Sequence, residues 1–169
     1  MIIIKLLVLS LVFASCLYMG ILVSKKYSGR VKELKDMKNA LNMLETKIKY
    51  TYEALPEIFE EISKQITGEI GQIFRNSAKK MQVKSAGDAW NESIDLANTN
   101  MNIEDKAILK TLGKLLGKTD AEGQISEIKL VSNFLDTQMK AAERERNKNE
   151  KMYKTLGGIV GLTIVIILI

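Results

Sequence analysis

Paired carboxylates are the arrangement in this 169-residue chain that comes nearest to acid–base chemistry: Glu60-Glu61, Glu104-Asp105 and Glu143/Glu145. A carboxyl group serves as a general acid near neutral pH when burial or a like charge raises its pKa. Each of these pairs stands in a charge-mixed, polar context, so the sequence gives no sign of such burial. The usual general base and metal ligand is missing, since the chain has no histidine. Its one cysteine, Cys16, lies in an uncharged apolar run, so no intramolecular disulfide can form. No Gly-x-x-x-x-Gly-Lys-Ser/Thr loop is present to cradle phosphate. Gly113 and Gly117 are flanked by helix signals and follow no strand. These residue types point away from catalysis and from a metal or nucleotide site, and no cofactor is expected.

The remaining chemistry is that of packing and recognition. Trp90, the only tryptophan, reads as a core anchor whose indole N–H needs a nearby carbonyl. Gly113 and Gly117, four apart, are expected on one helix face that admits a close neighbour, with Gly117 also ending the helix. Thr119 or Asp120 is expected to cap the helix that follows. Glu143 to Lys151 reads Glu-Arg-Glu-Arg-Asn-Lys-Asn-Glu-Lys and is charged all round. Such a segment has no core to face, and reads either as a solvated stalk or as a docking surface. Gly157 and Gly161 form a Gly-x-x-x-Gly step, a helix-contact face in lipid. Its partner is either the first apolar segment, where Ser10 and Ala14 share the spacing, or another subunit.

The elements that must position these residues begin with two apolar ends. Leu6 to Val23 is an uncharged run of eighteen residues, and Thr155 to Ile169 one of fifteen. Crossing about 30 Å of hydrocarbon takes roughly 20 residues at ~1.5 Å each. The first run meets this if Ile2 to Ile4 are added and Lys5 snorkels to the headgroups. The second covers roughly 22 Å and suffices if Tyr153 and the stem of Lys154 lie in the interface, or if the bilayer thins. A cleaved signal peptide fits the first run poorly, because the run is long and Lys25 and Lys26 follow as a stop-transfer flank. Lipidation at Cys16 would leave a mature chain opening on membrane interior. Lys25, Lys26, Arg30, Lys32 and Lys35 follow the first run, and Lys140, Arg144, Arg146, Lys148, Lys151 and Lys154 precede the second. Positive flanks stay in the cytoplasm, so a two-pass topology with a cytoplasmic middle is expected. The organisation expected is a transmembrane helix over 1–23, a cytoplasmic helical bundle over 24–154 and a transmembrane helix over 155–169.

The middle reads as helix throughout. Leu34, Met37, Leu41, Leu44, Ile48, then Thr51 or Tyr52, make one long apolar stripe, either packed on its own domain or forming a coiled-coil seam. Pro56 marks the first turn of the next helix. A third helix is expected from about Ile70 to Val83, a fourth from Ala89 to Ala97 capped by Asp88, and a fifth from Asn102 to Gly117 with Asp105 in a capping box. The last carries Ile125, Ile128, Val131, Leu135, Met139 and Ala142 on one face and can continue unbroken into the second apolar run. All 20 acidic residues and every basic residue but Lys5 fall within residues 24–154. The small basic excess suits anionic lipid headgroups. The aromatics sit among apolar positions rather than lysines, which disfavours nucleic acid as a partner.

Two strings carry a resemblance. Leu112-Gly113-Lys114-Leu115-Leu116-Gly117-Lys118-Thr119-Asp120 and Lys148-Asn149-Glu150-Lys151-Met152-Tyr153-Lys154-Thr155-Leu156-Gly157, with the hydrophobic tail, resemble the stage III sporulation protein AB family. The Ala89 to Ser93 stretch, the first apolar run and the overall length fit as well. The resemblance implies an all-α antiparallel six-helix bundle, similar to the cytoplasmic domain of type II secretion and type IV pilus platform proteins, between two transmembrane helices. It also implies a non-enzymatic part of the channel between mother cell and forespore, sited in the outer forespore membrane. Its implied partner is a cytoplasmic secretion-type ATPase, stage III sporulation protein AA, alongside other channel subunits. The family has one such domain where platform proteins have two, so self-association would supply a second copy. On this reading Lys148, Glu150, Lys151 and Tyr153 form the partner-binding patch, while Trp90, Gly113, Gly117 and Asp120 maintain the fold. The rival reading is a membrane-anchored dimeric signalling or regulatory module.

Overall fold

Neither apolar run is a helix of its own. The computed structural model describes the backbone of residues 2–51 and 53–168, and the side chains of all these except residues 2–6, 8, 154 and 168. Helix α1 runs Ile2–Tyr50, and is followed by α2 (Leu55–Gln65), α3 (Gly68–Lys80), α4 (Ala86–Leu96), α5 (Ile103–Leu112) and α6 (Ala121–Leu168). The fold is all-α, with six helices and no strand among the described residues. The expected stripe position at Tyr52, the completing role of Ile2 to Ile4, and the flanking roles of Lys5 and Lys154 fall outside the described side chains. By packing, the chain forms two compact units, residues 1–31 with 141–169, and residues 32–140. The change of packing partner thus falls inside residues 24–154.

In the unit of residues 32–140, the α1 stripe closes on its own domain. Leu34, Met37, Leu41 and Leu44 are wholly buried, which leaves no free seam for a coiled coil. Ile128, Val131 and Leu135 of α6 are buried in the same way. Helices α2, α3 and α4 share an aromatic cluster. Phe59 and Phe74 lie 5.0 Å apart, and Trp90 meets their rings edge-on at 5.7 and 5.2 Å. The Trp90 indole donates to the Leu109 carbonyl at 2.8 Å, so this fully buried ring carries no unsatisfied polar atom. Ion pairs join Lys38 to Asp136 and Lys129 to Glu45, tying α1 to α6 in antiparallel register.

Local chemistry sets the helix ends. Pro56 sits in the first turn of α2, where a missing N–H costs nothing. Asn102 and Asp105 form a reciprocal capping box at α5. Asp120 accepts from the Gly123 amide at 2.9 Å and so caps α6. Three boundaries differ from those the sequence suggests. Ser85, not Asp88, caps α4, because its hydroxyl oxygen takes the Asp88 amide. Helix α3 stops at Lys80, leaving Val83 exposed. Helix α5 stops at Leu112, one turn before Gly117.

Glu33 ties α1 to the connection between α4 and α5. Its carboxylate accepts the Asn100 backbone N–H at 2.6 Å and the Asn100 side-chain amide at 2.7 Å. Burial pushes its pKa above the usual carboxylate range, and the Asn100 bonds only partly offset this. The folded state therefore binds the Glu33 proton more tightly than the unfolded chain does. The stability this group contributes is greatest below the ordinary carboxyl pKa and declines as pH rises through the raised value. Glu33→Gln should therefore gain stability relative to the parent as pH rises above the ordinary carboxyl pKa of about 4, as read by urea unfolding at each pH. In the same assay Trp90→Ala should lose about 3–5 kcal/mol. Trp90→Phe should lose less, since the ring volume is mostly kept.

Candidate docking surface

The charged stretch of α6 is not solvated all round. In the unit of residues 1–31 and 141–169, one of its faces lies on α1. Arg30, whose side chain is only 8% exposed, donates to Glu145 at 2.7 Å. Ser28 donates to Glu150 at 3.2 Å. The Tyr27 and Tyr153 rings stack with centroids 5.9 Å apart and planes 16° from parallel. A hydrogen bond to Tyr153, together with partial burial, holds the Tyr27 hydroxyl above the usual phenol range. The expectation of a segment with no core to face is corrected here: it has a polar and aromatic neighbour. Charge patterning along α6 alone carries no trace of that neighbour, because Arg30, Ser28 and Tyr27 lie more than a hundred residues away in sequence.

The four residues of the expected patch divide between two faces. Glu150 and Tyr153 are half-buried against α1, whereas Lys148 and Lys151 are exposed. At about 100° per residue, Lys148 and Lys151 lie on one side of the helix and Glu150 and Tyr153 on the other. Arg144, also exposed, extends the lysine side by one turn. The chain therefore presents a cationic strip outward and uses the opposite strip for its own packing. Among the described residues no cluster of three or more Cys, Asp or Glu is placed to hold a metal ion.

Further along the pair, the helices approach until backbone meets backbone. A Cβ added at Gly157 would lie 2.8 Å from the Cys16 carbonyl oxygen, and one at Gly20 2.7 Å from that of Tyr153. At Gly161 it would lie 2.8 Å from the Phe13 ring. The partner of the Gly-x-x-x-Gly step within this chain is thus the Phe13 to Gly20 face of α1. Gly20 escapes notice in the sequence because it belongs to no four-spaced pair of glycines there. Ser10 and Ala14 are exposed, and the Ser10 hydroxyl bonds back to the Leu7 carbonyl. Around the pair, Leu11, Met19, Leu22, Leu156, Ile159 and Leu162 point outward. Among the described residues one helix stretch, Leu9–Tyr50, qualifies by length and composition as a candidate membrane span.

Gly87, Gly113 and Gly117 hold the bundle. Gly113 is the C-cap of α5 rather than a helix-face residue, so it and Gly117 share no helix face. A Cβ at Gly87 would lie 2.0 Å from the Gly113 carbonyl oxygen, which shows how tightly α4 abuts the end of α5. Gly117 adopts φ +72°, a conformation that favours glycine, and its N–H donates to Gln124 at 3.2 Å.

Residues 5–169 match the sequence family described as stage III sporulation protein AB. The chain belongs to that family. It is 29% identical over 153 residues to the stage III sporulation protein AB of Bacillus subtilis (strain 168), covering 88% of this chain and 90% of the relative. It also resembles a solved structure of stage III sporulation protein AB, with a TM-score of 0.65 at 25% identity, over 71% of this chain and 98% of that one. Family membership and the N-terminal candidate span together associate the chain with a membrane and with sporulation.

The two adjacent glycines of α6 give a sharp test of the helix pairing. Gly157→Val should force the helices apart and lower the melting temperature of the full chain in detergent by several degrees. Gly158→Ala should leave it unchanged, because the nearest atom to a new methyl is Leu17 Cδ2 at 3.8 Å.

Proposed function

We propose that this chain is a non-enzymatic platform component of the channel that endospore-forming bacteria build between mother cell and forespore. It would sit in the outer forespore membrane on two spans, with residues 24–154 in the mother-cell cytoplasm. There it would dock the secretion-type ATPase, stage III sporulation protein AA, and hold it against the other channel subunits. The observation that carries this reading is the family match over residues 5–169, which takes in both apolar ends and the whole middle.

Two features of the chain support it. Apolar side chains turn outward around the α1–α6 pair at Gly20 and Gly157, the reverse of a water-soluble surface and the arrangement hydrocarbon favours. Lys25 and Lys26 on α1 and Lys148 and Lys151 on α6 are exposed just beyond that apolar stretch, as a cytoplasmic flank requires. The docking role belongs to the strip of Arg144, Lys148 and Lys151, because Glu150 and Tyr153 are engaged with α1. A partner for this strip has to present acidic surface, which would steer association and make it salt-sensitive.

Charge reversal tests the assignment. Lys148→Glu with Lys151→Glu should cut retention of the ATPase in a pull-down at least about tenfold, with helicity unchanged. Unchanged retention together with normal spore formation would remove the strip from the docking role. For the topology, a reporter on residues 24–154 should resist protease added outside intact cells, and its digestion there would overturn the cytoplasmic placement.

A further inference from the structure

Helices α2 and α3 form a hairpin with an open cleft of about 530 Å³ on its surface. The connection is only Ile66 and Thr67, and Phe59 meets Phe74 while Pro56 and Gln82 line the same cleft, so the two helices run antiparallel. The contact of Phe59 with Phe74 at 5.0 Å sets which residues lie level. At that register Glu60 stands level with residues 73–75, and Glu57 stands about one turn along, toward Lys79. The α2 wall carries Glu57, Glu60 and Lys64 and is acidic on balance. The other is basic, with Arg75 and Lys79 on α3. All five side chains are exposed, and small or short residues, Pro56 and Ala78, lie between the walls.

The walls do not neutralise one another. Glu60 pairs with Lys64 on its own helix at 3.1 Å, where both side chains are more than 60% exposed. Among the described residues Glu57, Arg75 and Lys79 make no ion pair. A partner of a single charge sign would be attracted to one wall and repelled by the other. A second copy of the same hairpin meets both walls correctly. Rotation about a two-fold axis along the cleft keeps every residue at its level and lays α2 of one copy on α3 of the other. Glu60 then faces Arg75, and Glu57 faces Lys79, each pair occurring twice.

We infer that the α2–α3 face is a homotypic docking surface, occupied by the same face of a second copy. Exposed ion pairs contribute little individually, so the contact is weak between free molecules. Confinement to a membrane raises the effective concentration enough for weak contacts to count. The inference does not depend on the ATPase reading, and it concerns helices outside the lysine strip.

The test uses the full chain in vesicles with Cys16→Ser and a new thiol from Gln82→Cys at the end of the cleft. A bis-maleimide spanning about 10 Å, near the spacing of packed helices, reports pairing as cross-linked dimer. Glu60→Lys alone and Arg75→Glu alone should each reduce the dimer at least about fivefold, by setting like charges face to face. Mixing differently tagged Glu60→Lys and Arg75→Glu chains should restore a mixed dimer, because each reversed charge then meets its complement. No recovery in the mixture, or undiminished dimer in either single variant with helicity intact, would overturn the inference. Capture of a different protein at the Gln82→Cys thiol without any dimer would overturn it as well. Loss of ATPase binding is read in a separate pull-down, so the two readings fail independently.

Discussion

Around Gly20 and Gly157, α1 and α6 have no room for a single methyl group. A Cβ at either position would run into a backbone carbonyl of the opposite helix, and backbone cannot step aside as a flexible side chain can. This closeness has consequences for the residues on either side of it. It brings Phe13 over Gly161 at one end and Tyr27 over Tyr153 at the other. In an apolar solvent the hydrophobic effect supplies no force between helices, so close packing of small residues has to do so. The leucines and isoleucines around the pair point outward.

The polar part of the same helix pair follows a different rule. Arg30 is almost wholly buried, and a buried guanidinium is tolerated only when paired. Glu145 answers it from α6, and Ser28 answers Glu150 one turn further on. Packing against α1 draws Glu150 and Tyr153 inward, which leaves Arg144, Lys148 and Lys151 outward. The cationic strip is thus a consequence of how α6 is turned, and not of lysine content alone.

In residues 32–140 the central constraint is the Trp90 ring. It packs edge-on against both Phe59 and Phe74, and its N–H finds the Leu109 carbonyl, so α4 cannot slide along α5 without losing both contacts. The abutment of Gly87 on Gly113 reinforces the same register one turn earlier on the same face of α4. Glu33, held by Asn100, adds a polar tie at a partly buried site where its charge is costly.

Much of this was legible in the residues. The apolar runs, the 3-4 spacing of Leu34, Met37, Leu41 and Leu44, the capping box at Asn102 and Asp105, and the turn at Pro56 are local signals. They depend only on neighbours within a turn or two of helix, and they sufficed for an all-α chain of six helices. Trp90 was legible as an anchor for a similar reason, since a lone large indole with a polar tip has few other places to go. What a side chain faces across the fold was not legible. Gly113 looked like a helix-face residue until α5 ended before it. The segment around Lys148 looked charged on every side until α1 was laid against it. Gly20 had no partner in its own segment to mark it. Helical periodicity fixes which residues share a face, but the rotation of that face toward a neighbour is set by contacts far apart in sequence. Those contacts exist only once α1 and α6 are packed, and they alone decided which side of α6 is left exposed.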